Sequence, residues 1–214
     1  MIYFYIAVCA LVIVCSYFTI TSSTKYKVLR LLEKHNVPYK TWDADGSDRT
    51  LYRLIESVED GEIELESRSD GKLVLHVFVA VVTIRRQHKK EWFELREHRR
   101  NGPDNLFVPR QFSGSLGGKI KRFKGECPFK AIRREIGEEL GHSEPRFRDP
   151  GEYAIRDDFN TEIVGPQPSD GRLGVYDVYH RHHFSCEISN GLYHHTYTEI
   201  HPHKEDRQFF WVNI

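Results

Sequence analysis

The sequence predicts an α/β fold, a sandwich in which helices pack on a mixed β-sheet. Residues 73–84 are almost wholly apolar, as in a central strand that is covered on both faces. Residues 128–141 show the spacing of one amphipathic helix, which Pro128 and Gly141 frame at its two ends. Strand-like segments lie on both sides of this helix in the sequence, and this order of elements is typical of a sheet with packed helices.

Two short helices are predicted before the sheet. Residues 26–35 place Val28, Leu31 and Leu32 on one side of a helix, which ends before Pro38. A second amphipathic segment follows at residues 50–58. We therefore expect residues 25–66 to form a small helical cap or linker before a main domain at residues 67–214.

Strand-like segments follow in order along the main domain. Residues 62–66 and 72–86 are separated by the turn signal Arg68-Ser69-Asp70-Gly71. A long loop is predicted at residues 160–171, which contain two prolines and two glycines. The remaining strands are expected at residues 92–97, 106–108, 110–116, 151–155, 173–188 and 208–212.

The N-terminal segment at residues 2–20 contains no charged side chain and is long enough to span a bilayer as a helix. Lys25, Lys27 and Arg30 follow it, and no basic side chain precedes it. Residues 1–24 are therefore predicted to be an uncleaved, single-pass transmembrane anchor with the main domain in the cytosol. A signal peptide, cleaved before secretion, is the alternative; the missing basic n-region argues against it. A soluble core helix is a third interpretation.

Composition limits the partners and the compartment. Lys plus Arg and Asp plus Glu number 31 each in 214 residues, so no basic field predicts a nucleic-acid partner. Charged residues at 29% and aromatic residues at 13% are typical of a folded domain. The four cysteines form neither a C-x-x-C motif nor a disulfide framework, which suits a reducing compartment.

The helix at residues 128–141 carries three carboxylates on one face. Glu135, Glu138 and Glu139 lie at i, i+3 and i+4, within an arc of roughly 100°. Like charges one turn apart cost roughly 0.2–0.5 kcal/mol. A bound Mg²⁺ or Mn²⁺ would offset this cost, because carboxylate oxygens are hard ligands. A solvated helix face with an Arg134–Glu138 pair explains the same residues without a metal.

The wider spacing of these residues resembles the Nudix box, whose pattern is G-x5-E-x7-R-E-U-x-E-E-x-G-U, where U is a bulky apolar residue. The chain follows this pattern between Gly118 and His142 with two differences. Seven residues instead of five separate Gly118 from Glu126, so residues 121–124 contain a two-residue insertion, which we expect to bulge outward with its basic side chains near substrate. His142 stands at the last apolar position.

This resemblance implies a Nudix-like α/β/α sandwich and a hydrolase that uses Mg²⁺ or Mn²⁺. Its substrate would be a nucleoside diphosphate linked to another moiety, cleaved at the diphosphate. The resemblance implies metal binding by Glu135, Glu139, Glu138, Glu126 and the Gly118 carbonyl, catalysis by Glu138, Glu135 and Arg134, and substrate binding by Lys119 and Arg110.

Other function classes remain open. One is a catalytically inactive Nudix-type module, tethered to a membrane, that binds a nucleotide or a protein; the insertion and His142 favour it. Another is a membrane-tethered structural protein whose charged helix is merely solvated. Histidines in the last third of the chain suggest a zinc site, but the alternation of His180, His182 and His183 across a strand favours solvated side chains.

Overall fold

A computed structural model of the protein describes residues 24–42, 51–101, 106–109, 116–141, 143–149, 151–170, 172–193, 195–199 and 207–214. The chain divides into two compact units. The first unit comprises the described residues up to Val77 together with residues 122–124 and 164–179. The second comprises residues 78–121, 125–163 and 180–214.

The first unit contains the two predicted helices, α1 at residues 24–34 and α2 at Leu51–Glu59. Val28 and Leu32 of α1 and Leu54 of α2 are buried, which confirms the apolar faces inferred from their spacing. Strand β1 (Ile63–Ser67) pairs antiparallel with the first residues of β2 (Leu73–His88). The predicted hairpin around the turn at residues 68–71 is therefore confirmed.

The second unit contains most of the remaining strands and one long helix, α3 (Pro128–Glu139). The strands are hydrogen-bonded in the order β6-β7-β2-β3-β9-β8, while β4 pairs with β3 and β5 pairs with β2. This combination of sheet and helices confirms the predicted α/β class. The strands are β3 (Glu91–Asn101), β4 (Leu106–Pro109), β5 (Leu116–Lys119), β6 (Ala154–Pro168), β7 (Tyr176–Glu187), β8 (Thr196–Glu199) and β9 (Arg207–Asn213).

The core of the second unit lies between α3 and one face of the sheet. Ile132 and Ile136 of α3 are fully buried and belong to the same cluster as Val82 and Ile84 of β2. The side chains on the other face of β2 at residues 79–83 are only half-buried. The apolar run therefore forms a central strand as predicted, but one of its two faces is covered less completely than expected.

The predicted loop at residues 160–171 is wrong, because β6 continues to Pro168. The prolines and glycines of this segment are turn signals in most contexts. However, β6 ends the strand order, and an edge strand tolerates proline because one side of its backbone has no partner strand. The following strand begins later than expected, at Tyr176, and Leu173 is 71% exposed.

None of the described helices is long and apolar enough to cross a membrane. The segment predicted to be the anchor lies outside the described residues, except for Thr24. Arg110, His142 and the histidines at positions 194, 201 and 203 also lie outside them.

Candidate active site

The residues that match the box pattern lie where β5 and α3 contact each other in the second unit. β5 pairs antiparallel with β2, with Gly118 opposite Ala80. Helix α3 begins at Pro128, as predicted, after Cys127 in an extended conformation. Because Ile132 and Ile136 anchor the helix in the core, the neighbouring charged residues are held beside β5.

Gly118 provides the space that the Glu135 side chain occupies. A Cβ atom added to Gly118 would overlap the Cγ and Cδ atoms of Glu135. The neighbouring Gly117 is different, since its Cβ would lie 3.6 Å or more from every heavy atom outside its chain neighbours. The side chain of Glu135 is 13% exposed in this position. A glycine is thus required at position 118 for Glu135 to lie against the strand.

Arg134 joins three of the predicted carboxylates through its guanidinium group. Its Nε donates to Glu126 Oε1 at 2.9 Å. Its Nη1 donates to Glu135 Oε1 at 2.5 Å and to Glu138 Oε2 at 3.1 Å. Its Nη2 donates to the backbone carbonyl of Lys119 at 3.0 Å. The arginine therefore links the helix face to the end of β5.

The electrostatics of this cluster favour the charged forms of its members. Burial alone would raise the pKa of Glu126, but hydrogen bonds from Arg134 and from the Lys121 amide outweigh it and hold the pKa below its usual value. Burial would likewise lower the pKa of Arg134, yet the surrounding glutamates raise it. Glu126 and Arg134 are therefore both charged at neutral pH and form an ion pair.

The four acidic residues differ in how far solvent reaches them. Glu138 is 58% exposed, whereas the side chain of Glu126 is 13% exposed. Glu139 is buried, with 5% of its surface exposed. Within the described part of the chain, no three His, Cys, Asp or Glu side chains are arranged to hold a metal ion. In this arrangement Arg134 supplies the charge that offsets the carboxylates around it.

Backbone groups also hold these side chains, and the sequence pattern contains no signal for them. The Lys121 amide donates to Glu126 Oε2 at 2.8 Å, and the Glu126 amide donates to the Lys121 carbonyl. The Lys119 carbonyl accepts from Arg134, while substrate binding by Lys119 stays a prediction. These contacts depend on the path of the backbone and not on side-chain identity, so no residue type marks them.

The insertion adopts a short 3₁₀ turn at Arg122–Lys124 that belongs to the first unit. Arg122 Nη1 lies 2.5 Å from Glu64 Oε1, and Lys124 Nζ lies 2.7 Å from Asp60 Oδ1. The amide of Phe123 donates to the Asp60 carbonyl at 3.1 Å. Two of the basic side chains that we expect near substrate, Arg122 and Lys124, are thus paired with carboxylates of the first unit.

The strand histidines have partners within the second unit. His182 Nε2 lies 3.0 Å from Asp157 Oδ2, and His183 Nε2 lies 3.4 Å from Glu162 Oε2. The ring of His180 stacks on Phe78 with centroids 4.8 Å apart. Each of the three histidines thus lies against an aromatic ring or a carboxylate of the second unit.

Comparisons with known proteins add two structural likenesses. No protein-family model matches the chain, and no curated protein matches it. A C. elegans Ap4A hydrolase is 17% identical, with 53% of this chain and 68% of that chain covered and a TM-score of 0.33. The NUDIX domain of Shewanella oneidensis NrtR, in complex with ADP ribose, is 17% identical, with 63% and 72% covered and a TM-score of 0.36. Likenesses of this size establish neither the family nor the activity of this chain.

Proposed function

We propose that the protein is a Nudix-type hydrolase that cleaves the diphosphate linkage of a nucleoside diphosphate joined to another moiety. The observation that carries this proposal is the hydrogen bonding of Arg134 to Glu126, Glu135 and Glu138. The four residues occupy fixed positions of the box pattern and are brought together despite the insertion. A merely solvated helix face would not explain why Glu126 pairs with Arg134. Nor would it explain why Gly118 leaves space for the Glu135 side chain.

The donor chemistry of the site fits Mg²⁺ or Mn²⁺. Glu126, Glu135, Glu138 and Glu139 offer carboxylate oxygens, which these hard cations prefer, and the Gly118 carbonyl is of the same kind. When bound, the ion would neutralise charge on the diphosphate and acidify a water molecule. Arg134 holds the carboxylates in the arrangement described here. Some of its hydrogen bonds must therefore break when the metal ion binds.

The chain's own residues divide the remaining work by exposure and charge. Glu138 is the most exposed of the three helix carboxylates, which suits the general base that takes a proton from water. Arg134 positions Glu135 and keeps Glu126 ionised. Lys119 and Arg110 are proposed to bind substrate phosphates, as the resemblance implies.

We also propose the organisation predicted from the sequence. Residues 1–24 form a transmembrane anchor, residues 25–66 a cap or linker, and residues 67–214 a Nudix domain with an α/β/α sandwich on the cytosolic side. Protease protection on intact vesicles tests this topology. A protected main domain, or a mature N-terminus near Ser23, would exclude it in favour of secretion.

The activity is tested with the full chain against a panel of nucleoside triphosphates, dinucleotides and nucleotide sugars, with Mg²⁺, Mn²⁺ or a chelator. Phosphate-bond cleavage that requires the metal is expected, and Glu139→Gln is expected to lower it by orders of magnitude. Mg²⁺ should raise the melting temperature of the wild type more than that of the variant. Glu56→Gln, an exposed change on α2, should match the wild type in both measurements.

Two outcomes would contradict the hydrolase. Ligand binding without cleavage under every condition would identify the inactive binding module instead. Equal metal-induced melting shifts in the wild type and Glu139→Gln would show that the helix carboxylates hold no ion, as expected for a solvated face.

A further inference from the structure

The second unit contains a cavity of about 400 Å³ on the sheet. Its lining includes Arg85, Trp92, Arg156, Ser185, Glu187 and Ile214. The volume lies within the range of small-molecule sites, roughly 300–1,000 Å³. Strands β2, β3, β6 and β7 each contribute a side chain, so the position of the cavity is set by the sheet and not by a loop.

This cavity is separate from the site at α3. Ile84 of β2 is buried in the core that α3 covers, and side chains alternate along a strand, so Arg85 lies on the opposite face. Gly118 pairs with Ala80, five residues before Arg85. At about 3.3 Å per residue the two sites are about 17 Å apart along the strand. One ligand group cannot occupy both.

The charge of the cavity favours an anion. Arg156 is exposed, and its side chain has no hydrogen-bond or ion-pair partner among the residues that the structure describes. Among the described residues, the Arg85 guanidinium pairs with Glu94, through two nitrogens that both lie 3.4 Å from the same carboxylate oxygen. The other carboxylate oxygen of Glu94, Oε1, lies 3.3 Å from Arg96 Nε. The side chains of the lining thus include two guanidinium groups and one carboxylate, that of Glu187.

The exposed indole of Trp92 in the lining favours a ligand with a planar aromatic ring. Trp92 leaves 37% of its surface exposed at the start of β3, opposite Gln87 across the hairpin. Ile214 lies beside it, with its backbone amide bonded to the Trp92 carbonyl at 3.1 Å and 53% of its surface exposed. An exposed indole is a stacking surface for planar rings, and a guanidinium recognises carboxylates and phosphates.

We propose that this cavity binds a planar aromatic anion. The ring would stack on Trp92, and the carboxylate or phosphate would be held by Arg156 and Arg85. A nucleoside monophosphate and an aromatic carboxylate both combine a planar ring with an anionic group. Either ligand would make these two contacts. Binding here needs no metal and does not depend on hydrolysis at the α3 site.

Calorimetric titration of the full chain in the presence of a chelator tests the proposal with two probes. AMP has a planar base and a phosphate but no phosphoanhydride to cleave, whereas 2-naphthoate has a ring and a carboxylate. Arg156→Gln and Trp92→Leu should each weaken binding roughly tenfold, since a charge-assisted contact or a stacking surface is lost. Binding of AMP alone would assign the phosphate, and binding of 2-naphthoate alone the carboxylate; either supports the cavity.

Lys90→Gln is the matched control, because it removes one positive charge from the exposed turn beside the cavity without changing its lining. It should leave both dissociation constants within about twofold, because a fully exposed charge that does not touch the ligand is largely screened. Glu135→Gln should also leave the two dissociation constants unchanged.

Dissociation constants above about 1 mM for both probes would overturn the proposal. So would equal affinity in the wild type and Arg156→Gln, or loss of binding in Glu135→Gln. Arg156 is exposed, so this variant tests the proposal even where Trp92→Leu fails to fold.

Discussion

Gly118 lies so close to Glu135 that a single methyl group on the glycine would overlap the glutamate side chain. The backbone of Gly118 is held by pairing with Ala80 of β2, so it cannot easily move away. Glu135 is held in turn by Arg134 at 2.5 Å. The strand and the helix are thus in contact through a glycine and a carboxylate, and the position of each depends on the other.

Gly118→Ala is expected to abolish most activity by moving Glu135. The side chain of Glu135 must leave its rotamer, and its hydrogen bond to Arg134 is then lost. Glu135 is proposed to act in the transition state. Its displacement should therefore lower kcat at least tenfold, while KM changes less. Steady-state kinetics on the best substrate of the panel provide the measurement.

Gly117→Ala is the control for this prediction. A Cβ at position 117 would lie 3.6 Å from the Ala80 carbonyl oxygen, an ordinary contact, so kcat should stay near the wild-type value. A double-mutant cycle gives a second check. If Gly118→Ala acts through Glu135, it should cost little more in a Glu135→Ala background. Additive losses would show that the glycine has another role.

Much of this site could be predicted from spacing alone. The carboxylates, Arg134 and Gly118 follow a fixed pattern, and a helix places residues at i and i+4 together regardless of its surroundings. The contact between Gly118 and Glu135 could not be predicted, because it depends on how closely β5 and α3 approach. Nor could the burial of Glu139, which follows from the packing of α3 beside a core of aliphatic and aromatic side chains.

Glu126→Gln is expected to lower stability at neutral pH and to have less effect in acid. Hydrogen bonds to a charged group contribute roughly 1.5–3 kcal/mol, and the side chain of Glu126 accepts such bonds from Arg134 and the Lys121 amide. Glutamine keeps one acceptor oxygen, so a loss of about 1–2 kcal/mol in the free energy of unfolding is expected at pH 7.

The sign of the pH effect follows from the lowered pKa of Glu126. Its folded-state pKa lies below the ordinary value of 4.5, so the stabilisation is present above pH 4.5 and disappears as the pH falls through the folded-state pKa. Denaturant unfolding of the wild type and Glu126→Gln at several pH values should give curves that converge below pH 4.5. A stability difference that stays constant into acid would contradict the ion pair with Arg134.

The two described cysteines are expected to differ in reactivity. Cys127 is exposed before α3, whereas Cys186 is buried, and burial raises its pKa to about 12. Since the thiolate is the reactive form, iodoacetamide at pH 8 should modify Cys127 and leave Cys186 intact until the protein unfolds. Mass analysis of the peptides that contain each residue gives the extents. Rapid modification of Cys186 under native conditions would contradict its place in the core.

The course of the insertion shows a second limit of the sequence pattern. Basic residues beside a phosphate-hydrolase motif favour a role in substrate binding, and nothing in residues 121–124 signals another partner. The carboxylates that pair with them, Asp60 and Glu64, precede the motif by about sixty residues. Long-range ion pairs of this kind depend on tertiary structure, so a single sequence does not reveal them.

Gly61→Ala is expected to destabilise the first unit, because it displaces the 3₁₀ turn of the insertion. Gly61 has a φ of +73°, and a Cβ there would lie 2.7 Å from the backbone nitrogen of Phe123. Gly71→Ala is the matched control: its φ is +84°, but no heavy atom lies within 4 Å of the added Cβ. Both variants carry the same left-handed backbone cost, which is roughly 1–2 kcal/mol for alanine.

The difference between the two variants therefore measures the contact with Phe123 alone. Crowding of a packed site typically costs about 1–3 kcal/mol, so Gly61→Ala should unfold several degrees below Gly71→Ala. Differential scanning calorimetry under identical conditions makes the comparison. Deleting Phe123 and Lys124 should reduce the difference, because the Phe123 ring that the new methyl group also meets is lost and the turn is shortened. Equal melting temperatures for the two alanine variants in the full-length loop would show that the insertion does not pack on Gly61.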